Sequence, residues 1–266
     1  MSFDTKALKN RIKSVDSTLH LTNAMGLVAS SKIKKANANM AAAGEYCGSI
    51  ENVISLLSGS RECEKSPFLR NATGDKKRII VIAGDRGLAG GYNANIFRFL
   101  RDYPEAELLP IGKRACDRYG AGYQSSERFL SSDAAQLADR LCKEFLENKF
   151  DSLGIVYTRY VSMMTQTPDI KWILPIKRSK PSRISTIFEP DEISVLKAAV
   201  PGYIAGVITG CVKESFASEV AARRMAMDSA GKNARKIIDD LQIKYNRARQ
   251  GAITQEITEI VAGSGQ

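Results

Sequence analysis

The stretch of this chain most suggestive of chemistry is a glycine-rich turn, GDRGLAGGYN, at residues 84–93. It follows a β-branched run and precedes a segment with helical spacing, which is the setting of a dinucleotide-binding loop. The glycines lack the G-x-G-x-x-G spacing, and no acidic partner follows on a second strand. Gly112, Lys113 and Arg114 likewise lack the upstream glycine and the following Ser or Thr of a phosphate loop. The sequence therefore predicts no cofactor.

Metal and nucleophile chemistry finds as little support. The single histidine, His20, lies inside a long helical pattern, so a histidine on a helix face is the expected reading. The chain has five cysteines: Cys47, Cys63, Cys116, Cys142 and Cys211. They form no C-x-x-C pair and no metal-ligand spacing, which suits a reducing compartment. We expect no catalytic residue and no metal site.

The net charge of +10 is spread along the chain rather than concentrated in one arm. Proteins that bind nucleic acid usually concentrate their basic residues, so a mildly basic surface for acidic protein partners is favoured, and no nucleic acid is expected. A basic coiled-coil scaffold for nucleic acid or acidic filaments remains the alternative. We recognise no signal peptide and no apolar run long enough to span a bilayer, so membrane contact is expected only through other subunits.

Residues 8–57 carry apolar residues at alternating steps of four and three, which is a heptad seam. Its positions are Leu8, Ile12, Val15, Leu19, Thr22, Gly26, Ala29, Ile33, Ala36, Met40, Ala43, Cys47, Ile50, Ile54 and Leu57. No proline precedes Pro67, so nothing forces the helix to end early. The spacing predicts one long helix. The alternative, a bundle of shorter helices, would need turns at Gly26, Gly44 and Gly48.

Residues 202–262 carry a second seam built from smaller residues, which let two helix axes approach closely. Its positions are Ala217, Val220, Arg224, Met227, Gly231, Ala234, Ile238, Leu241, Tyr245, Ala248 and Ala252. This helix exceeds the first by roughly 15 Å, and beyond Ala252 the apolar residues Ile253, Ile257 and Ile260 fall out of phase. The tip is predicted to expose an apolar face, which usually marks a binding site. A frayed or folded-back end is the alternative.

The middle of the chain alternates short β-branched runs with helical segments, which predicts a small α/β domain with a largely parallel sheet. Strands are predicted at 78–84, 108–113, 152–160 and 171–176. Helices are predicted at 93–101, 113–119 and 134–148. Ser132 and Asp133 can cap the last of these helices. Residues 58–77 read as a linker.

The predicted fold class is therefore α+β overall. A long antiparallel two-helix coiled coil from the N- and C-terminal segments joins a small central α/β, Rossmann-like domain. The expected division is 1–58 for the N-terminal helix, 76–190 for the central domain and 201–266 for the C-terminal helix.

Four segments resemble the γ subunit of F-type ATP synthase, and the likeness runs nearly end to end. They are RIKSVDSTLHLTNAMGLVASSKIKKA (11–36), GDRGLAGGYN (84–93), YVSMMTQTP (160–168) and ASEVAARRMAMDSAGKNARKIIDDLQIKYNRARQGAITQEITEIVAGS (217–264). The resemblance implies the central rotating shaft. The two terminal helices would lie inside a hexamer of α and β subunits, and the α/β domain would be a foot bound to the ε subunit and the c-subunit ring. ATP would be made only by the whole complex.

The resemblance also implies partner-contact residues. Those facing the hexamer would be Met25, Arg249, Gln250, Ile253, Ile257 and Ile260, the three isoleucines turning in an apolar collar. Those in the foot near the c ring would be Phe188, Glu189 and Asp191. Two residues depart from the family pattern. Ala89 stands where cysteine is usual, and Gly26 stands where a long or charged side chain is usual, which is expected to loosen the helix by ~1 kcal/mol.

The location implied by the resemblance is the cytoplasmic face of the bacterial plasma membrane, with peripheral attachment. The mitochondrial matrix face is the alternative. A third class of function, a dehydrogenase using the glycine-rich turn, would require that nicotinamide cofactors bind.

Overall fold

A computed structural model describes residues 2–70, 74–180 and 187–263 of the chain. The helices are α1 Ser2–Ser58, α2 Tyr92–Phe99, α3 Lys113–Tyr119, α4 Ser131–Leu146 and α5 Glu192–Gly263, and the strands are β1 Lys77–Ile82, β2 Glu107–Ile111, β3 Ser152–Tyr160 and β4 Gln166–Leu174. The chain divides into two compact units. The first comprises Met1–Ser30 and Arg223–Gln266, and the second comprises Ser31–Ala222.

The first unit contains an antiparallel pair of helical segments from α1 and α5. A Cβ atom added to Gly26 would lie 3.6 Å from the Cβ of Met227. A Cβ atom added to Gly231 would lie 3.8 Å from the side chain of Leu19. Residue numbers therefore rise along one helix as they fall along the other, as predicted.

The second unit contains its own antiparallel pairing of α1 and α5. A Cβ atom added to Gly202 would lie 3.5 Å from Ile50, and one added to Gly210 would lie 3.3 Å from the Sγ atom of Cys47. In both units the predicted seams are the covered face, because every seam position in α1 and in α5 is buried or half-buried. The α1 helix continues through its glycines, so the prediction of one long helix is confirmed and the short-helix bundle is wrong.

The start of α5 differs from the sequence prediction. The helix begins at Glu192 rather than near residue 201, and Pro201 lies inside it. A proline in a helix interior costs about 3 kcal/mol. Leu196, Val200 and Ile204 around it are fully buried, and each such side chain contributes roughly 1.5–3 kcal/mol on burial. Packing on both sides of the proline therefore outweighs its cost.

The second unit contains a four-stranded sheet in the order β2-β1-β3-β4. Strand β1 pairs in parallel with β2 and β3, whereas β3 and β4 are antiparallel. The turn between β3 and β4 is closed by Val161 N–H donating to the Thr165 carbonyl oxygen (3.2 Å), and so short a connection permits only an antiparallel hairpin. The sheet is thus largely parallel, as predicted, with one antiparallel edge strand.

Both faces of this sheet are covered. On β1, Ile80 and Ile82 pack in one apolar cluster, and Ile79 and Val81 pack in another on the opposite face. The first cluster includes α4 and the adjoining parts of α1 and α5, and the second includes α2. A strand buried on both faces reads as a continuous apolar run, which is why the β1 segment was recognisable in the sequence.

Residues 58–70 are not the open linker that their composition suggested. They form two short 3-10 helices, Glu62–Lys65 and Pro67–Leu69. Cys63 and Phe68 are buried in the core, and the Phe68 ring stacks on Phe145 with centroids 6.0 Å apart. One apolar residue in each short helix holds this connection against the sheet.

The α5 helix also corrects the expectation about membrane-spanning length. An 18-residue window within it has a mean hydropathy of 1.6, so by length and composition alone it could cross a membrane. Of that window, 44% is buried inside the protein. A core helix passes the same test, and α5 contributes Val207, Ile208 and Val212 to the core of the second unit.

Candidate partner-binding surfaces

The last turns of α5 carry the apolar stripe predicted from the sequence. Ile253, Ile257 and Ile260 are 46%, 56% and 70% exposed, whereas Ala252 just before them is half-buried. The helix continues to Gly263, so these side chains lie on a regular helix rather than on a folded-back end. Their spacing of four and three residues puts them on one face. This surface, the apolar tip, is uncovered within the described chain.

Arg249 and Gln250 lie one turn before the apolar tip, and both side chains are exposed. The backbone carbonyl oxygen of Gln250 accepts a hydrogen bond from Thr254 Oγ1 (2.9 Å), so the two residues share one regular turn of the helix. Because they are exposed, Arg249 and Gln250 are accessible to a partner. Their contact with a β-subunit loop remains a prediction.

Met25 lies next to Gly26, at a close approach of α1 and α5 in the first unit. Its side chain is half-buried, and the neighbouring Gly26 is buried. A Cβ atom on Gly26 would lie 3.0 Å from Nη1 of Arg224. The missing side chain therefore makes room for a guanidinium in the seam of α5, which gives Gly26 a packing role that the sequence did not reveal.

Two exposed residues that sequence reasoning missed share the helix face of Met25. Leu21 precedes Met25 by four residues and Val28 follows it by three, and they are 59% and 55% exposed. Side chains at these spacings are neighbours on a helix. The L-x-x-x-M-x-x-V spacing could have identified this exposed face, but the adjacent heptad seam is the more regular apolar pattern in the sequence.

The predicted foot residues have three different environments in the second unit. Phe188 is half-buried and packs against the main core cluster, whereas Glu189 is exposed. The Asp191 carboxylate accepts hydrogen bonds from Ser194 Oγ (2.6 Å) and Ser194 N–H (2.8 Å). These bonds lower the pKa of Asp191 and place it as a cap at the start of α5. Contact of these residues with a c ring remains a prediction.

The glycine-rich turn is organised around Asp85. Its carboxylate accepts hydrogen bonds from Ser125 Oγ (2.6 Å) and from the N–H groups of Ser126 (2.8 Å), Glu127 (3.1 Å) and Lys113 (3.2 Å). Burial raises the pKa of Asp85, but these hydrogen bonds together outweigh burial and lower it. Asp85 thus ties the end of β1 to α3 and to the loop before α4.

Gly112, at the start of α3, is required by the same arrangement. Its φ of +97° is one that other residues rarely adopt, and a Cβ atom there would lie 2.0 Å from the carbonyl oxygen of Ala83. Close approach of the β1 and β2 ends therefore explains this glycine without a phosphate. The G-K-R sequence is a packing feature.

His20 lies on an exposed helix face, with its Nε2 atom 3.6 Å from Oδ2 of Asp16 one turn away. Among residues 2–70, 74–180 and 187–263, no three His, Cys, Asp or Glu side chains are grouped to hold a metal ion.

The chain is similar to known proteins along almost its whole length. A family model described as ATP synthase matches residues 4–265. The ATP synthase gamma chain of Ruminococcus albus is 38% identical, with 97% of each chain covered. The ATP synthase gamma chain of Moorella thermoacetica is 37% identical over 97% of this chain and 96% of its own.

Solved structures share the fold. A chain of the Euglena gracilis mitochondrial ATP synthase assembly OSCP/F1/c-ring superposes with a TM-score of 0.68 at 16% identity, covering 99% of this chain and 94% of that chain. A chain of the Tetrahymena thermophila mitochondrial ATP synthase central stalk/c-ring superposes with a TM-score of 0.60 at 20% identity, covering 79% and 99%. The predicted α+β fold class, with two long terminal helices and a central mixed sheet, is confirmed. Given the family match over residues 4–265 and the identity to gamma chains over nearly their whole length, this chain belongs to the ATP synthase gamma chain family.

Proposed function

We propose that this chain is the central rotor shaft of an F-type ATP synthase, which transmits torque between an ion-driven c ring and a catalytic hexamer of α and β subunits. Its family membership makes it a subunit of the ATP synthase complex. The observation that carries the mechanical role is the apolar tip, because α5 continues past the last covered seam residue, Ala252, as a regular helix with an apolar face.

The mechanism is a coupling of binding free energies between distant sites. An asymmetric helix pair inside a ring with threefold pseudo-symmetry presents a different face to each catalytic subunit at any angle. Each subunit is thereby biased towards a different nucleotide affinity. Rotation of the shaft exchanges these affinities among the three catalytic subunits in turn. When the complex runs in reverse, ATP hydrolysis turns the shaft.

The contacts with the hexamer are assigned to the first unit. Met25 faces the moving region of the catalytic subunits, Arg249 and Gln250 meet a loop of the β subunit, and the apolar tip turns in an apolar collar. The exposure of Arg249, Gln250 and the apolar tip supports this assignment, and Met25 is half-buried beside the exposed Leu21 and Val28. Small aliphatic side chains suit a bearing, because they exclude water without directional bonds that would hold one angle.

The contacts with the ε subunit and the c ring are assigned to the second unit. Glu189 and Asp191 are both exposed, but the Asp191 carboxylate is engaged in the helix cap through Ser194, whereas Phe188 packs against the core. Glu189 is thus the foot side chain that we expect to meet polar loops of the ring directly. Membrane attachment is peripheral and runs through the other subunits.

The chain contributes no catalytic residue of its own, and ATP is formed at sites on its partners. Its single histidine, His20, is solvent-exposed, and Asp85, the acidic residue of its glycine-rich turn, is hydrogen-bonded to other residues of the chain. The proposed location is the cytoplasmic face of a bacterial plasma membrane. The bacterial origin of its relatives supports this location over the mitochondrial matrix.

The test removes the last ten residues, 257–266, and reconstitutes the truncated chain with the other subunits on membranes. We expect ATP-driven ion pumping or assembly to weaken, while nucleotide binding by the β subunits persists. Complete loss of nucleotide binding, or pumping equal to that of the intact chain, would contradict the proposal.

Point variants separate the apolar tip from a general loss of apolar surface. Ile257→Ser and Ile260→Ser should each lower pumping per ATP hydrolysed. Ile243→Ser is the matched control, because Ile243 is 68% exposed on the same helix but precedes the tip. Equal effects at all three positions would assign the loss to helix destabilisation instead.

A further inference from the structure

A cavity of about 380 Å³ lies within the second unit, between α1, the β3–β4 hairpin and α5. Glycines create it. A Cβ atom on Gly44 or on Gly48 would find no heavy atom within 4 Å, and Gly210 borders the cavity from α5. Glycine in a helix interior costs roughly 0.5–1 kcal/mol relative to alanine. Next to the cavity, α1 and α5 are therefore loosely packed, and their glycines also lower the helix propensity there.

Three charged side chains line this cavity, and their charges do not cancel. Lys171 Nζ lies 2.5 Å from Oε1 of Glu51, which neutralises that pair. Glu214 accepts one hydrogen bond, from the Tyr160 N–H to its Oε1 atom (3.0 Å). No residue in the described chain donates to its second carboxylate oxygen. The cavity therefore carries an excess negative charge at Glu214.

The Tyr157 side chain supplies a second polar group without a partner. Tyr157 is 8% exposed and lines the cavity, and within residues 31–70, 74–180 and 187–222 nothing hydrogen-bonds its hydroxyl. The buried side-chain oxygens without a partner in the described chain are those of Thr158 and Thr167, so the Tyr157 hydroxyl is open to solvent and available to a ligand. Burial raises the pKa of Tyr157, so its hydroxyl stays protonated and neutral at physiological pH. Its ring also offers a face to a cation.

We propose that this cavity binds a small organic cation, a guanidinium or primary ammonium group on a short alkyl chain. The cation would donate to the free oxygen of Glu214 and to the Tyr157 hydroxyl, with its alkyl part against Met40 and Val207. A metal ion is the poorer fit, because the described residues hold no group of three metal-ligating side chains. The volume is within the range of small-molecule sites.

The burial of Glu214 also favours a cation at this site. Burial raises the pKa of Glu214, and this effect exceeds the opposing effects of the Tyr160 N–H, Lys171 and Arg159. A cation bound at its free oxygen would add a compensating charge. The proposal stands independently of the rotor function, since the cavity is lined entirely by residues of the second unit.

The test uses the full chain with ¹³C-labelled tyrosine rings, titrated with methylguanidinium chloride and, as a neutral isostere, with N-methylurea. We expect saturable shifts of the Tyr157 and Tyr160 ring signals with the cation only. The Tyr157 signal is assigned from the spectrum of Tyr157→Phe. Equal shifts with N-methylurea, or none with the cation, would overturn the proposal.

Two variants make the test specific. Glu214→Gln keeps the acceptor for the Tyr160 N–H and should weaken cation binding about tenfold or more, because a charged hydrogen-bond acceptor is lost. Glu45→Gln is the matched control, since Glu45 is exposed on α1 outside the cavity and its loss should leave binding unchanged. Unaltered binding by Glu214→Gln would refute the role of this carboxylate.

Gly44→Leu fills the open space while it preserves every charge. We expect it to abolish the tyrosine shifts and to leave the thermal unfolding midpoint at or above that of the parent chain. Binding that survives in Gly44→Leu would place the cation on the surface rather than in the cavity, and would overturn the proposal even if Glu214→Gln fails to fold.

Discussion

Replacement of Asp85 tests the hydrogen-bonded hub that holds the glycine-rich turn. The Asp85→Asn variant keeps the size of the side chain but exchanges one acceptor oxygen for an N–H₂ group. The two oxygens accept from three backbone N–H groups and from the hydroxyls of Ser125 and Ser126. In the variant, the amide nitrogen must face at least one of these backbone donors, and that donor is left without an acceptor.

The magnitude follows from the number and type of these bonds. Hydrogen bonds to a charged acceptor contribute roughly 1.5–3 kcal/mol each, and an unsatisfied buried donor costs a similar amount. Because Asp85 is only half-buried, water replaces part of what is lost. We therefore expect Asp85→Asn to lower the free energy of unfolding by about 2 kcal/mol, and Asp85→Ala, which removes all the acceptors, by about 4 kcal/mol.

The assay is urea unfolding of the full chain at pH 7, followed by circular dichroism. Asp117→Asn is the matched control, because Asp117 is exposed on α3 and forms only a 3.8 Å ion pair with Arg114. Its loss should change stability by less than about 0.5 kcal/mol. A free energy for Asp85→Asn within about 0.5 kcal/mol of the parent chain would refute the hub.

The pH dependence provides an independent check of the same residue. Hydrogen bonds lower the pKa of Asp85 in the folded chain despite its burial. Because the pKa of Asp85 is lower in the folded chain than in the unfolded chain, its ionised carboxylate stabilises the fold at pH values above the unfolded pKa of about 3.9. This stabilisation is lost as the pH falls through the folded pKa. The stability difference between the parent chain and Asp85→Asn should therefore shrink on acidification from about pH 5. A difference that stays constant or grows would contradict this reasoning.

Three further predictions concern the second unit. Gly44→Ala and Gly48→Ala should each stabilise it by about 1 kcal/mol, seen as a rise of about 2–4 °C in Tm, because a methyl group meets open space on a helix; a lower Tm would contradict this. Gly112→Ala should destabilise it by about 3 kcal/mol or more in urea unfolding, given its φ of +97° and the nearby Ala83 carbonyl. Burial raises the pKa of Cys142 to about 12, so iodoacetamide at pH 8 should label it only in the urea-unfolded chain, as mass spectrometry of the peptide would report.

The sequence predicted the periodic parts of this protein well. Both seams were readable because a helix repeats its buried face every three to four residues, and every predicted seam position is indeed covered. Strand β1 was readable because burial on both faces leaves a continuous apolar run. The apolar tip was readable because it breaks the phase of the seam before it.

Predictions failed where long-range packing outweighed a local signal. Pro201 looked like a helix boundary, yet the buried residues on either side keep it inside α5. Residues 58–70 looked like a linker, yet Cys63 and Phe68 anchor them to the core.

By itself, the sequence determined that this chain has two long paired helices, an α/β middle and a tip that no helix of its own covers, since these follow from local periodicity. Only the tertiary structure decided which polar groups meet. Asp85 and its donors at Ser125–Glu127 are about forty residues apart, and Glu51, Tyr157, Lys171 and Glu214 come from four separate elements. Sequence periodicity does not predict these side-chain contacts, because they depend on how the elements pack and not on the order of residues within any one element.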